Sequence, residues 1–179
     1  MKTILMIIGL FVLNDNVHAA TSIKKSNIAF TAIGRPSFIK AKGNMALKSA
    51  NITQNGEFIS GEFVVDLNNL KSGIELRDQH LKEKYLEVNK YPLAKITFTQ
   101  VELAKLSEIK KIQATLTLHG VTKPVILKAD FKKEDTALKL DTDFTIDLSQ
   151  HQIDIPSFQG ITVAKDVKVK VESLINYTK

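Results

Sequence analysis

From residue 27 to residue 172 apolar and polar residues alternate over most of the chain, and a period of two limits it to a mainly β fold. Ile28, Phe30 and Ala32 share one side of Asn27–Ile33, and Gly34-Arg35-Pro36 breaks the run. Phe38 to Lys48 reads as a weaker second strand, with a bend expected at Gly43. Asn55-Gly56 signals a hairpin, because both central positions of a type I′ turn need positive φ. Ile59, Gly61, Phe63, Val65 and Leu67 then form one face of a third strand, with Glu62 and Asp66 on the other. Ile96 and Phe98 mark a fourth strand, Ile112 to Leu118 a fifth, and Val121 to Phe131 a sixth beyond a turn at Gly120. Leu138 to Leu148 alternates cleanly, as do Val167, Val169 and Val171, and the Pro156-bearing stretch 151–160 between them reads as a loop. That makes about eight strands, mostly joined by hairpins and each apolar on one face. A sheet of that size must close or split to protect its edges, and an eight-stranded antiparallel barrel is the expected solution.

One stretch changes period. Ile74, Leu81, Tyr85 and Val88 fall on a single helical stripe, so a short helical cap is expected over about 74–88. Ser72 and Glu75 have the spacing of a capping box at its start. Tyr91-Pro92 ends it, since proline disfavours helix in the residue before it. Asp78 interrupts the stripe with Arg77 beside it, which places an acid-base pair on the apolar side of the cap and, by expectation, at the barrel mouth.

The first nineteen residues read as an export signal: Lys2, an unbroken apolar run from Ile4 to Leu13, and small residues around Val17-His18-Ala19. A single mature domain over 20–179, released to a periplasm, follows as the expectation. The chain has no cysteine, which removes disulfide, thiol and lipidated-cysteine chemistry. The net charge of +6 survives loss of the signal, which takes one lysine (Lys2) and one acid (Asp15) with it. An exported basic protein suits anionic small molecules or contact with a membrane surface, although singly spaced lysines also keep sheet edges soluble. Nucleic acid is disfavoured, with no arginine-rich run and no tryptophan. A small outer-membrane barrel is disfavoured too, because Phe30, Phe63, Phe98 and Phe144 lie mid-strand rather than in girdles at strand ends.

The pieces Gly61-Glu-Phe-Val-Val-Asp-Leu67, Leu70, Arg77-Asp78-Gln-His80-Leu81, Tyr91-Pro92, Ile96-Thr-Phe98 and Leu116-Thr-Leu-His-Gly-Val-Thr-Lys123 stand in an order and spacing that resembles the YceI-like family. The resemblance covers essentially all of the mature chain. It departs at the short polar segment Ser49 to Gln54 and around His151–Gly160, which leaves the shape of one barrel end open. It implies a lipocalin-like barrel whose interior holds a polyisoprenoid, a fatty-acid-like chain or a similar amphiphile, with no cofactor and no catalytic activity established for the family as a whole. Pairing of two chains is left open.

Such a site needs a dry tube for the tail and a few polar groups for the head. The candidate lining comes from alternate strand positions: Ile28 and Phe30; Phe63 and Val65; Ile96 and Phe98; Leu116 and Leu118; Phe144 and Ile146; Val167 and Val169. Ala32, Gly61 and Ala114 on the same faces would leave room, unless the faces simply fill one another. At the mouth, the planar fork of Arg77 suits a phosphate or carboxylate, with Asp78 to orient it, and His80 and His119 are further candidates. A structural latch between helix and barrel explains Arg77 and Asp78 equally well. An enzyme using Asp78, His80 or His119, and a filled barrel acting through a protein partner, are the competing readings. The separated histidines give no metal-ligand spacing, and no glycine-rich phosphate loop is present.

Overall fold

The computed structural model describes residues 21–177 except 36, 107, 109, 135, 136 and 159, and the expected export signal lies outside the described residues. Ten strands build one antiparallel sheet: β1 (Thr21–Arg35), β2 (Lys40–Met45), β3 (Leu47–Asn55), β4 (Phe58–Asp66), β5 (Leu93–Glu102), β6 (Lys111–Leu118), β7 (Val121–Glu134), β8 (Ala137–Asp147), β9 (Ser157–Phe158) and β10 (Ile161–Tyr177). The order along the sheet is β2-β1-β10-β8-β7-β6-β5-β4-β3, with the two-residue β9 paired to β10. The sheet curls into a lipocalin-like shell.

Its two outermost strands are consecutive in the chain, separated only by Ala46. One bent strand therefore pairs with β1 along its first half and with β4 along its second, which brings the curled sheet round on itself. The expected second strand thus splits in two, and the break falls at Ala46 rather than Gly43. The amide just past the break, Leu47 N, donates to Ser26 Oγ at 2.9 Å instead of to a ladder. Gly43 has another task. A Cβ there would sit 2.4 Å from the Phe30 ring and 2.6 Å from the Lys71 carbonyl, so only glycine admits both neighbours.

Ser49 to Gln54, expected as a polar departure, lies within β3 and supplies buried Ala50 and Ile52. At the hairpin, Asn55 pairs with Phe58, so Gly56 and Glu57 are the central residues. Positive φ occurs at Gly56 alone, the requirement of a type II′ turn rather than the expected I′. The first and last strands of the chain, β1 and β10, run to 15 and 17 residues and extend well past the alternation at 27–33 and 167–172, carried across bulges near Lys24 and Ile33.

Apolar positions alternate inward on every long strand. The outward face carries ion pairs such as Lys95–Glu62, Lys128–Asp143 and Lys170–Glu172, the reverse of a lipid-facing barrel. All strands are antiparallel neighbours, so the chain ends of β4, β6 and β8 and the starts of β5, β7 and β10 gather at one end of the shell. The helical segment and the loops at 34–39 and 148–158 lie at this end. At the opposite end Ile52, Ile59, Val101, Leu106, Leu138 and Ile175 close the interior.

Candidate functional site

The helical cap is shorter than its stripe. Helix α1 covers Glu75–His80 and runs directly into a π-helical turn at Leu81–Tyr85. In that turn Leu86 N bonds the Leu81 carbonyl at 2.9 Å, five residues back. The wide turn sets Leu86 nearly above Leu81, so Leu81, Tyr85 and Leu86 all face the shell interior, where an α-helix would have turned Leu86 away. No local sequence signal announces it.

The capping box does not form. The residue before α1 is Ile74, with no side-chain cap. Ser72 turns instead to the far side of the helix start: its amide donates to Asp78 Oδ1 at 2.7 Å, and its hydroxyl donates to the same oxygen. Arg77 closes the knot through Nε to Ser72 Oγ (2.8 Å) and Nη2 to the Ser72 carbonyl (2.6 Å). The side-chain hydrogen bonds of Arg77 and Asp78 among the described residues all go to Ser72, so the pair ties down the turn that enters the helix. At the helix end, the Tyr85 hydroxyl donates to the Ser157 carbonyl and accepts from the Ser157 amide, both at 3.1 Å, which docks the cap onto the 148–158 loop.

Beneath this cap lies a cavity of about 400 Å³. The structure places all twelve candidate lining residues on its walls: Ile28, Phe30, Phe63, Val65, Ile96, Phe98, Leu116, Leu118, Phe144, Ile146, Val167 and Val169. Ala32 also lines it. Gly61 leaves room for something else: a Cβ there would sit 2.5 Å from the Phe98 ring, so the space holds that ring, and Ala114 is packed in the core. The shell is thus hollow toward the cap and filled at the other end. The cap itself contributes Leu70, Ile74, Leu76, Leu81 and Leu86, residues the strand pattern could not supply.

Polar groups are few and stand mostly at the capped end: Lys40, Arg77, His80, Lys95 and Ser157, with Thr142 lower on the wall. Thr142 is 6% exposed, and its hydroxyl has no hydrogen-bond partner among the described residues, as is also true of Ser173 on the neighbouring β10. Asp78 and His119 do not line the cavity. His119 sits in the β6–β7 hairpin at φ +53°. Its Nε2 meets Glu87 Oε2 at 2.7 Å, its Nδ1 lies 3.2 Å from the His151 carbonyl, and Tyr91 packs edge-on at 4.6 Å. His151, 3% exposed, is bonded through Nδ1 to the Val121 carbonyl at 3.1 Å. This cluster joins the hairpin to the loop outside the cavity.

A family model of the YceI-like domain matches residues 15–173. The chain belongs to the YceI-like family. Similar sequences include a UPF0312 protein of Vibrio cholerae, 30% identical over 116 residues that make up 64% of this chain and 58% of that one. Another, from Photorhabdus laumondii, is 49% identical over 59 residues, 32% of this chain and 30% of its own. The chain thus matches well under two thirds of the length of these relatives. Among solved structures, BcnA of Burkholderia cenocepacia superposes with a TM-score of 0.69 at 14% identity, covering 87% of this chain and 99% of that one. A polyisoprenoid binding domain from Saccharophagus degradans gives 0.68 at 18% identity, with 90% and 100% covered. Identities this low establish the shared fold.

Within this YceI-like domain, two strand exits at the mouth repeat one device that alternation alone does not reveal. β4 ends in Asp66-Leu67-Asn68 and β8 in Asp147-Leu148-Ser149, and each aspartate caps a 3₁₀ turn by accepting from the backbone amide two residues on, at 3.1 and 3.0 Å. Leu67 and Leu148, both buried, turn inward to line the cavity. The recurrence of Asp-Leu followed by Asn or Ser at a strand end is the signal that could have located these capped turns. Lys165, Ser149 and the turn's amide hold the Asp147 carboxyl down to about 2. Asn68 and Lys48 lower that of Asp66.

Proposed function

We propose that this protein is an exported, periplasmic binding or carrier protein for a long apolar amphiphile, a polyisoprenoid or fatty-acid-like chain, with its tail in the cavity and its head at the capped end. The observation that supports this reading most is the cavity, whose wall is almost wholly aliphatic and aromatic while its cations cluster at the cap. Each methylene moved from water into such a wall contributes about 0.8 kcal/mol. Ten of them would offset the entropy of ordering the chain without any polar contact. Lys40 and Arg77 provide positive charge for a carboxylate or phosphate head, and the third nitrogen of Arg77, Nη1, has no protein partner among the described residues. The Saccharophagus degradans domain is described as polyisoprenoid binding, which favours the same class of cargo. The apolar run at 4–13 supports export, and a membrane is the natural source of a cargo this insoluble.

The reading is binding rather than catalysis: Asp78 is committed to Ser72, and His119 to Glu87 and the 148–151 turn. Native mass spectrometry of protein purified from its own host is expected to show a co-purifying lipid. Displacement of a fluorescent apolar probe by fatty acids and isoprenols of increasing length is expected to tighten with each methylene until the cavity is full. A bare chain whose affinity ignores tail length would remove this reading.

A further inference from the structure

We infer that the cavity mouth is a membrane-docking face that selects anionic bilayers. The inference rests on the carrier reading for its purpose and on surface residues for its evidence. Phe38 is 81% exposed, Ile74 54% and Leu76 50%. Phe38 projects from the turn between β1 and β2, which is closed by Gly34 N to the Ile39 carbonyl at 2.7 Å. Ile39 beside it lines the cavity, as do Ile74 and Leu76 at the helix start, so all three exposed side chains border one opening.

The backbone joins the two groups. Lys71 forms an antiparallel bridge with Asn44 of β2, through bonds of 2.8 and 3.1 Å. The chain leaving Lys71 toward Ile74 therefore runs back along β2 in the direction of Phe38. Exposed large apolar residues at the entrance to an apolar cavity find no partner in water, and they mark a surface that something covers.

Charge says what covers it. Segments 34–43 and 70–78 contain Arg35, Lys40, Lys42, Lys71 and Arg77 against two acids, Glu75 and Asp78, and Asp78 is taken up by Ser72. Arg35, Lys40, Lys42 and Lys71 have no ion-pair partner among the described residues, so their charge is not neutralised by a neighbouring carboxylate. Apolar tips ringed by unpaired cations are the pattern of a protein that rests on an anionic lipid surface. With the mouth against the bilayer, a chain can pass from lipid to cavity without its apolar surface crossing water.

The test is sedimentation of the mature protein with vesicles of phosphatidylcholine alone or with about 30 mol% phosphatidylglycerol. Binding is expected to the anionic vesicles and to weaken as salt rises. Phe38→Ser is expected to weaken it about tenfold, the loss of one buried aromatic side chain. The double variant Lys42→Gln, Lys71→Gln is expected to cost about thirtyfold. None of these three side chains lines the cavity, so displacement of a fluorescent probe by fatty acids in vesicle-free solution should be unchanged. Equal binding to neutral and anionic vesicles, or variants that sediment like the parent protein, overturns the docking face. If the variants lose vesicle binding while the parent takes up no chain in solution, docking stands and the carrier reading falls.

Discussion

Residues buried in the wrong chemistry are the sharpest points on this molecule. The Thr142 hydroxyl lies among Leu140, Phe144, Ala129 and Val171 with no hydrogen-bond partner among the described residues, and an orphaned buried hydroxyl costs about 1 kcal/mol or more. We expect Thr142→Val to raise the urea midpoint by about 1 kcal/mol in stability with an unchanged m-value. Gly61 is the opposite case, a residue too small to replace. Its missing Cβ is occupied by the Phe98 ring, which is itself buried, so Gly61→Ala should lower stability by about 1–3 kcal/mol in the same assay. Both residues share inward faces that alternation identifies. Alternation does not reveal that one carries an unpaired oxygen, or that the other yields its space to the ring of Phe98, its direct partner on the neighbouring strand β5.

At the scale of elements, the mouth is held by short polar devices rather than by long helices. The knot of Ser72, Arg77 and Asp78 fixes the entry to a helix of only six residues, too short to persist alone. Asp78→Ala should therefore cost about 1–2 kcal/mol of stability and speed proteolysis within 70–90, with chain affinity much less affected. The Asp147 cap gives a pH dependence of known sign. A free aspartate titrates near 3.9, whereas the folded one is held at about 2, so the folded state binds its proton more weakly. The contribution of this cap is full above about pH 4 and disappears as pH falls through about 2. In acid unfolding series, the stability difference between the parent protein and Asp147→Asn should be constant at neutral pH and shrink to nothing over that window.

For the whole molecule, the decisive event is the bend at Ala46, which lets one strand serve both margins of the curled sheet. Without it, one strand could not serve both, and either β1 or β4 would present an unpaired edge. Ala46→Pro is compatible with a position between strands, whereas Met45→Pro would remove a donor from the β1–β2 ladder. We expect the first to fold with stability close to that of the parent protein, and the second to lower stability and promote concentration-dependent association, read by light scattering. Closure also determines the cavity. The same inward faces are solid where Ile52, Ile59, Val101, Leu138 and Ile175 meet at one end, and hollow beneath the cap.

The sequence by itself determined the strands' inward faces, because a period of two is a local property that every residue pair reports. Twelve wall residues were legible from it, along with the one segment where the period changes. Long-range register decided the rest. Whether opposite walls touch or leave a void depends on how far the sheet curls, and that is set by pairings between residues far apart, such as Ile28 with Val171 and Phe63 with Ile96. Likewise Ser72 and Glu75 have the spacing of a cap, but Asp78 and Arg77 took Ser72 first. His119 has the composition of a site residue, yet its place beside Glu87 arises only when the β6–β7 hairpin folds against the end of the helical cap.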